Sequence, residues 1–130
     1  MTDGVEILRR QIHPKFLDRG QPSGQAFRPT MKDAGCLSTR REAMSAKDAC
    51  EAHLAEGFAS AGTWGVSVSA VNEAGCRAVD DSQVAGAPDH HVYIDFRHQS
   101  GKQIERSAKA FKRNAIERGC LYEGVPASTS

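Results

Sequence analysis

An α+β fold, with a small antiparallel or mixed sheet and two helices packed on one face, follows from three features of the sequence. Residues 45–57 and 100–118 carry capped helical patterns, and residues 63–71 and 91–97 carry strand patterns. Along the chain the order is arm, loop, helix, strand, loop, strand, helix. The 130 residues suit one core, expected over residues 1–123, with residues 124–130 reading as a disordered tail.

Residues 5–16 hold Val5, Ile7, Leu8 and Ile12 among charges, and Pro14 pushes His13 toward extended backbone. A first strand or ordered arm is favoured. Residues 18–35 contain Gly20, Pro22, Gly24, Pro29 and Gly35, which predicts a long loop, with Phe27 and Met31 packing it down.

In residues 45–57, Ser45 is a natural cap, Asp48 stands at the capping-box position and Gly57 at the helix end. Ala49, Cys50, His53 and Leu54 form the apolar stripe of this helix. Residues 63–71 alternate, with Trp64, Val66, Val68 and Ala70 on one side, as a half-buried strand does. Residues 72–89 read as a second loop. In residues 91–97, Val92, Ile94 and Phe96 oppose His91, Tyr93 and Asp95. Ser100 and Gln103 then form a capping box for a helix that stops at Gly119. The expected core is Trp64, Val66, Val68, Val92, Ile94, Phe96, Ile104, Phe111 and Leu54.

A net charge of +1 gives the whole molecule no general pull toward nucleic acid or lipid, so any such role needs local segregation of charge. No apolar run approaches the roughly 18 residues of a membrane span, so no membrane partner is expected. The first residues lack the basic-then-apolar order of an export signal, and the four cysteines include no C-x-x-C pair. Reduced thiols and a cytoplasmic location are the matching expectation.

Three groups of residues bear on chemistry. On residues 101–118, Ile104, Ala108, Phe111 and Ala115 fall on one helical face. Lys102, Arg106, Lys109 and Arg113 fall on the other. This basic stripe suits phosphates or an acidic partner, and equally a solvated face. The second group is His13, Arg28, Lys32 and Asp33, with Lys15 and Ser38 nearby in sequence. Histidine shuttles protons near neutral pH, and Arg and Lys hold phosphate or developing negative charge. The third is His90 and His91 followed by Tyr93 and Asp95. A metal there would need further ligands such as Cys76 or His98, and the spacing matches no zinc pattern, so no metal is expected. No phosphate-binding glycine loop, nucleophile elbow or H-E-x-x-H helix occurs, and no cofactor is expected.

Several segments together are distinctive: His13-Pro14-Lys15-Phe16, Ser23-Gly24-Gln25-Ala26-Phe27-Arg28-Pro29-Thr30 with Lys32-Asp33, Gly35 and Leu37-Ser38, then Trp64-Gly65-Val66, and Pro88 through Phe96. The combination resembles a group of small bacterial proteins with no assigned activity. The resemblance covers residues 13–122 and implies a bacterial cytoplasmic setting, without an activity or a catalytic residue. Two functions are compatible with the sequence. One is an accessory protein docking on a protein partner, or on nucleic acid through the C-terminal basic helix. The other is a small metal-independent hydrolase or transferase acting on a phosphate-bearing substrate.

Overall fold

The structure, a computed structural model, describes residue 1, residues 3–30 and residues 34–124. The strands are β1 (Ile7–Gln11), β2 (Leu17–Asp18), β3 (Gln21–Pro22), β4 (Cys36–Arg40), β5 (Gly62–Ser67), β6 (Arg77–Asp80), β7 (His91–Asp95) and β8 (Tyr122–Glu123). The helices are α1 (Ala46–Ala55), α2 (Val68–Glu73) and α3 (Gly101–Arg118), with 3-10 turns at Pro14–Phe16 and Gly24–Phe27. Six strands form one antiparallel sheet in the order β6-β7-β4-β1-β5-β8, and β2 pairs with β3 alone. The α+β class and the antiparallel sheet are as the sequence predicts.

One face of the sheet carries Leu8, Val66, Trp64, Leu37, Val92, Ile94 and Ala78, all buried. Ala108, Phe111 and Ala115 of α3 cover it, together with Val68 and Val71 of α2 and with Phe27. Phe96 meets Phe111 edge to face, ring centroids 5.8 Å apart. Ser100 and Gln103 form the expected capping box, so α3 begins where its pattern says.

Two helices therefore share the core face, but they are α2 and α3. The helix expected beside α3, α1, lies over the opposite face. Thr63 decides this: it neighbours the core-facing Trp64 in β5, and its Oγ1 donates to Ala46 O of α1 at 3.1 Å. Only Ala49 and Cys50 of α1 are buried, and Leu54 is 38% exposed, contrary to its expected place in the core. Ile104 is partly buried; the other expected core residues are buried.

Four further expectations are corrected. The strand over residues 63–71 ends at Ser67, whose Oγ accepts from Ala70 N at 3.1 Å and caps α2. Val68 and Val71 satisfy a helical spacing as well as Val66 and Val68 satisfy a strand spacing, and the serine cap decides between them. Residues 72–89 contain β6. Residues 18–35 contain a hairpin whose Arg19-Gly20 turn has positive φ at both positions, 54° and 80°, the two-residue geometry that suits twisted strands. Gly124, placed in the expected tail, is buried and donates its N–H to Ala61 O at 3.1 Å. Residues 125–130 and Met31 lie outside the described residues.

Candidate anion-binding groove

The sheet is thinly joined across its middle. Phe96 N donates to Gly35 O and Arg41 N to His90 O, each at 2.8 Å, so the odd-numbered residues of β4 bond to β7. Ser38 must then direct its peptide groups toward β1. Yet β1 and β4 share a single register pair, Arg9 with Arg40. Beyond it the strands part, and the side chain of Arg10 bridges the opening. Its Nη1 donates to Ser38 O at 3.0 Å and its Nε to Ala26 O at 2.9 Å. A guanidinium thus satisfies a carbonyl that a strand would otherwise satisfy.

The other end of this seam is clamped by charge. Buried Glu6 accepts from Arg41 Nη2 at 2.7 Å and Nε at 2.9 Å, and Arg41 Nη1 reaches Asp80 at 3.0 Å. The Arg41 guanidinium holds the Glu6 carboxyl below its ordinary range, against the opposing effect of burial.

Between α1 and the β1–β4–β7 face lies a groove of about 400 Å³. Arg9 and Arg10 come to it from β1, Arg40 from β4, His91 from β7, His53 from α1, and His13 and Lys15 from the first 3-10 turn. Glu56 is the one carboxylate among its described lining residues, and it is bound to Arg40 Nη2 at 2.9 Å. Arg40 Nη1 also donates to Asp89 O at 2.7 Å, which fixes the guanidinium. Two aromatic rings border the groove. Phe58, 57% exposed, stacks on His53 with centroids 5.1 Å apart, and Lys15 Nζ sits 5.1 Å over the Phe16 ring.

The three imidazoles are held differently. Burial, reinforced by the fields of Arg10 and Arg40 and opposed by Glu56, pushes the pKa of His53 below 6.5, so His53 is neutral at pH 7. His91 Nδ1 lies 2.6 Å from Asp81 Oδ1, which leaves Nε2 as its edge without a hydrogen-bond partner among the described residues. His13 Nδ1 accepts from Lys15 N at 3.1 Å. Gln11 also lines the groove. Its Oε1 receives the hydroxyls of Ser60 and Thr63 at 2.8 and 3.0 Å, while Nε2 is buried with no partner among the described residues.

The residues singled out from the sequence are distributed as follows. His13 borders the groove; Arg28 borders a separate, smaller hollow with Glu105 and Lys109 against α3. These two are not brought together, and Lys32 and Asp33 lie outside the described residues. Lys102, Arg106, Lys109 and Arg113 are exposed along α3, with Lys109 3.8 Å from Glu105. His91, Tyr93 and Asp95 do share one face, but each is engaged: His91 by Asp81, Asp95 by Arg97 at 3.0 Å, and Tyr93 beneath the Arg97 guanidinium at 6.0 Å. His98 Nε2 lies against Gly75 O at 2.5 Å, and no group of three or more potential ligands converges on a metal position among the described residues.

No disulfide joins the four cysteines, and burial pushes the thiols of Cys76 and Cys120 up, away from the reactive thiolate form. No helix among the described residues is long and apolar enough to cross a membrane. Arg9, Arg10, Arg40 and His53 are the groove residues that sequence reasoning overlooked. The available signal was the Leu37-Ser38-Thr39-Arg40 alternation after Gly35, which marks β4. No family model, curated protein or solved structure matches this chain.

Proposed function

We propose that this protein binds single-stranded nucleic acid in the groove between α1 and the β1–β4–β7 face. One observation carries the proposal: four permanently charged side chains and three histidines from five separate elements converge there, in a chain whose net charge is only +1. Arg9, Arg40 and Lys15 would meet the phosphates. Phe58 and Phe16, at the groove's edge, offer the faces on which unpaired bases stack, and duplex bases cannot reach them. Of the two partner classes the sequence allows, this charge favours nucleic acid over protein.

The α3 stripe is the competing location, and one experiment separates them. Binding of labelled single-stranded RNA and DNA is measured by fluorescence anisotropy at several salt concentrations. Lys15→Glu and Phe58→Ala alter exposed side chains and should leave the melting temperature unchanged. Each should weaken binding about tenfold. The double reversal Arg106→Glu, Lys109→Glu on α3 should leave it intact. Loss of binding only in the α3 double variant would move the site to that helix. No binding of either strand by the wild type at low salt would refute the function.

A further inference from the structure

We infer that the same groove cleaves RNA, with His53 and His91 acting as an acid–base pair beside Arg40; this rests on single-strand binding there. Arg40 and His91 stand directly opposite one another across β4 and β7, on the sheet face that carries the groove. Arg40 also holds Glu56 at 2.9 Å, and His53 lies three residues before Glu56, one helical turn away. Two imidazoles from different elements thus share the groove with one fixed guanidinium, whose charge is felt at His53. Arginine is the side chain that best matches a phosphate in shape and remains charged throughout.

The surroundings assign the roles. His53 is neutral at pH 7, under burial and the fields of Arg10 and Arg40, with Glu56 opposing, and can accept a proton. His91 has its Nδ1 fixed by Asp81 at 2.6 Å, with Arg40 as its cross-strand neighbour, so Nε2 is the edge that exchanges a proton with a ligand. No cysteine is among the described residues that line the groove. A ribose supplies its own nucleophile.

In the proposed step His53 takes the proton of the 2′-hydroxyl. The 2′-oxygen forms a bond to phosphorus, the bond from phosphorus to the 5′-oxygen breaks, and the proton on Nε2 of His91 passes to the departing 5′-oxygen. The products are a 2′,3′-cyclic phosphate and a 5′-hydroxyl; no water or other reactant is consumed. Arg9 and Arg40 would stabilise the additional charge on the phosphoryl oxygens. DNA, lacking the 2′-hydroxyl, would bind and stay whole.

The test uses a 5′-labelled single-stranded RNA and the DNA of the same sequence, in EDTA, between pH 5 and pH 8. The wild type should cut the RNA to fragments ending in 2′,3′-cyclic phosphate and leave the DNA intact. His53→Ala and His91→Ala should each slow cleavage at least about 100-fold, measured in single turnover at saturating protein so that any loss of affinity does not enter. His53→Gln serves as a second variant if His53→Ala lowers the melting temperature. Bound DNA with uncut RNA at every pH would overturn cleavage and leave binding standing. So would cleavage that persists in both histidine variants, or that EDTA abolishes. If neither strand binds, the groove's function and this inference fall together.

Discussion

Arg40 in β4 and Glu56 at the end of α1 meet at 2.9 Å, and this ion pair is where the helix on the open face is fastened to the sheet. Because 41% of the Glu56 side chain is exposed, the pair adds little stability and mainly sets the charge of the groove.

Glu56→Gln should therefore change unfolding free energy by less than about 1 kcal/mol. It should also tighten binding of a single-stranded oligonucleotide, because one anion leaves the groove and Arg40 is released. The same substitution should lower the pKa of His53 further, since Glu56 is the charge that holds it up. Denaturant melts, anisotropy and a histidine NMR titration read the three effects separately.

His53 makes stability depend on pH in a definite direction. Its folded pKa lies below the unfolded value of 6.5, so near that pH the unfolded chain binds more protons. Stability should be full above pH 6.5 and fall as the pH drops toward the folded pKa. His53→Gln should flatten that part of the curve, measured as the urea midpoint from pH 7.5 to pH 5.

Asp95 gives a second, more acidic step. The Arg97 guanidinium, which takes both its carboxylate oxygens, holds its pKa down to about 2, against 3.8 when unpaired. The contribution is complete above pH 3.8 and is lost as the pH falls through about 2. Arg97 is 59% exposed, so Asp95→Asn should cost only about 1 kcal/mol at pH 7. It should also reduce the loss of stability below pH 4, to which Glu6 and Asp80 still contribute, readable by circular dichroism.

Core truncations should rank by burial. Phe111 is fully buried against Phe96, and Phe111→Ala should cost about 3–5 kcal/mol. Leu54→Ala should cost well under half of that, because Leu54 is 38% exposed. Equal losses in the two variants would contradict the placement of α1.

Gly65→Ala should be destabilising by about 1–3 kcal/mol. A methyl group there would run into Ile7 Cγ2 and lie 2.8 Å from Leu121 Cδ1, so β5 needs a bare backbone at the point where side chains from β1 and the segment before β8 pass over it. A thermal melt beside Phe111→Ala places the two costs on one scale.

The elements readable from the sequence are those with explicit ends. Ser45 caps α1 and the Ser100–Gln103 box starts α3, while Val92 and Ile94 show their alternation plainly. The elements that escaped are short or share a pattern with their neighbours. β6 has four residues inside a polar stretch, and α2 continues the alternation of β5. The groove was only partly legible, for a related reason. His13 and His91 drew attention by residue type, but Arg9, Arg40 and His53 lie far apart in sequence and meet only through the order β7-β4-β1 with α1 above it. The basic stripe of α3 is conspicuous because its four charges lie within one helix, which says nothing about concavity.

The seam between β1 and β4 divides the strand order into two leaves that share one core. One leaf is β6-β7-β4, carrying His91 and Arg40; the other is β1-β5-β8, carrying Arg9. They are pinned by the Arg9–Arg40 pair and by the Glu6–Arg41 clamp, and the far side is held by the Arg10 side chain. Arg10 belongs at once to the seam and to the groove lining. An anion that draws its guanidinium away from Ser38 O and Ala26 O would leave both carbonyls without this donor, so occupancy of the groove would be felt at the seam itself.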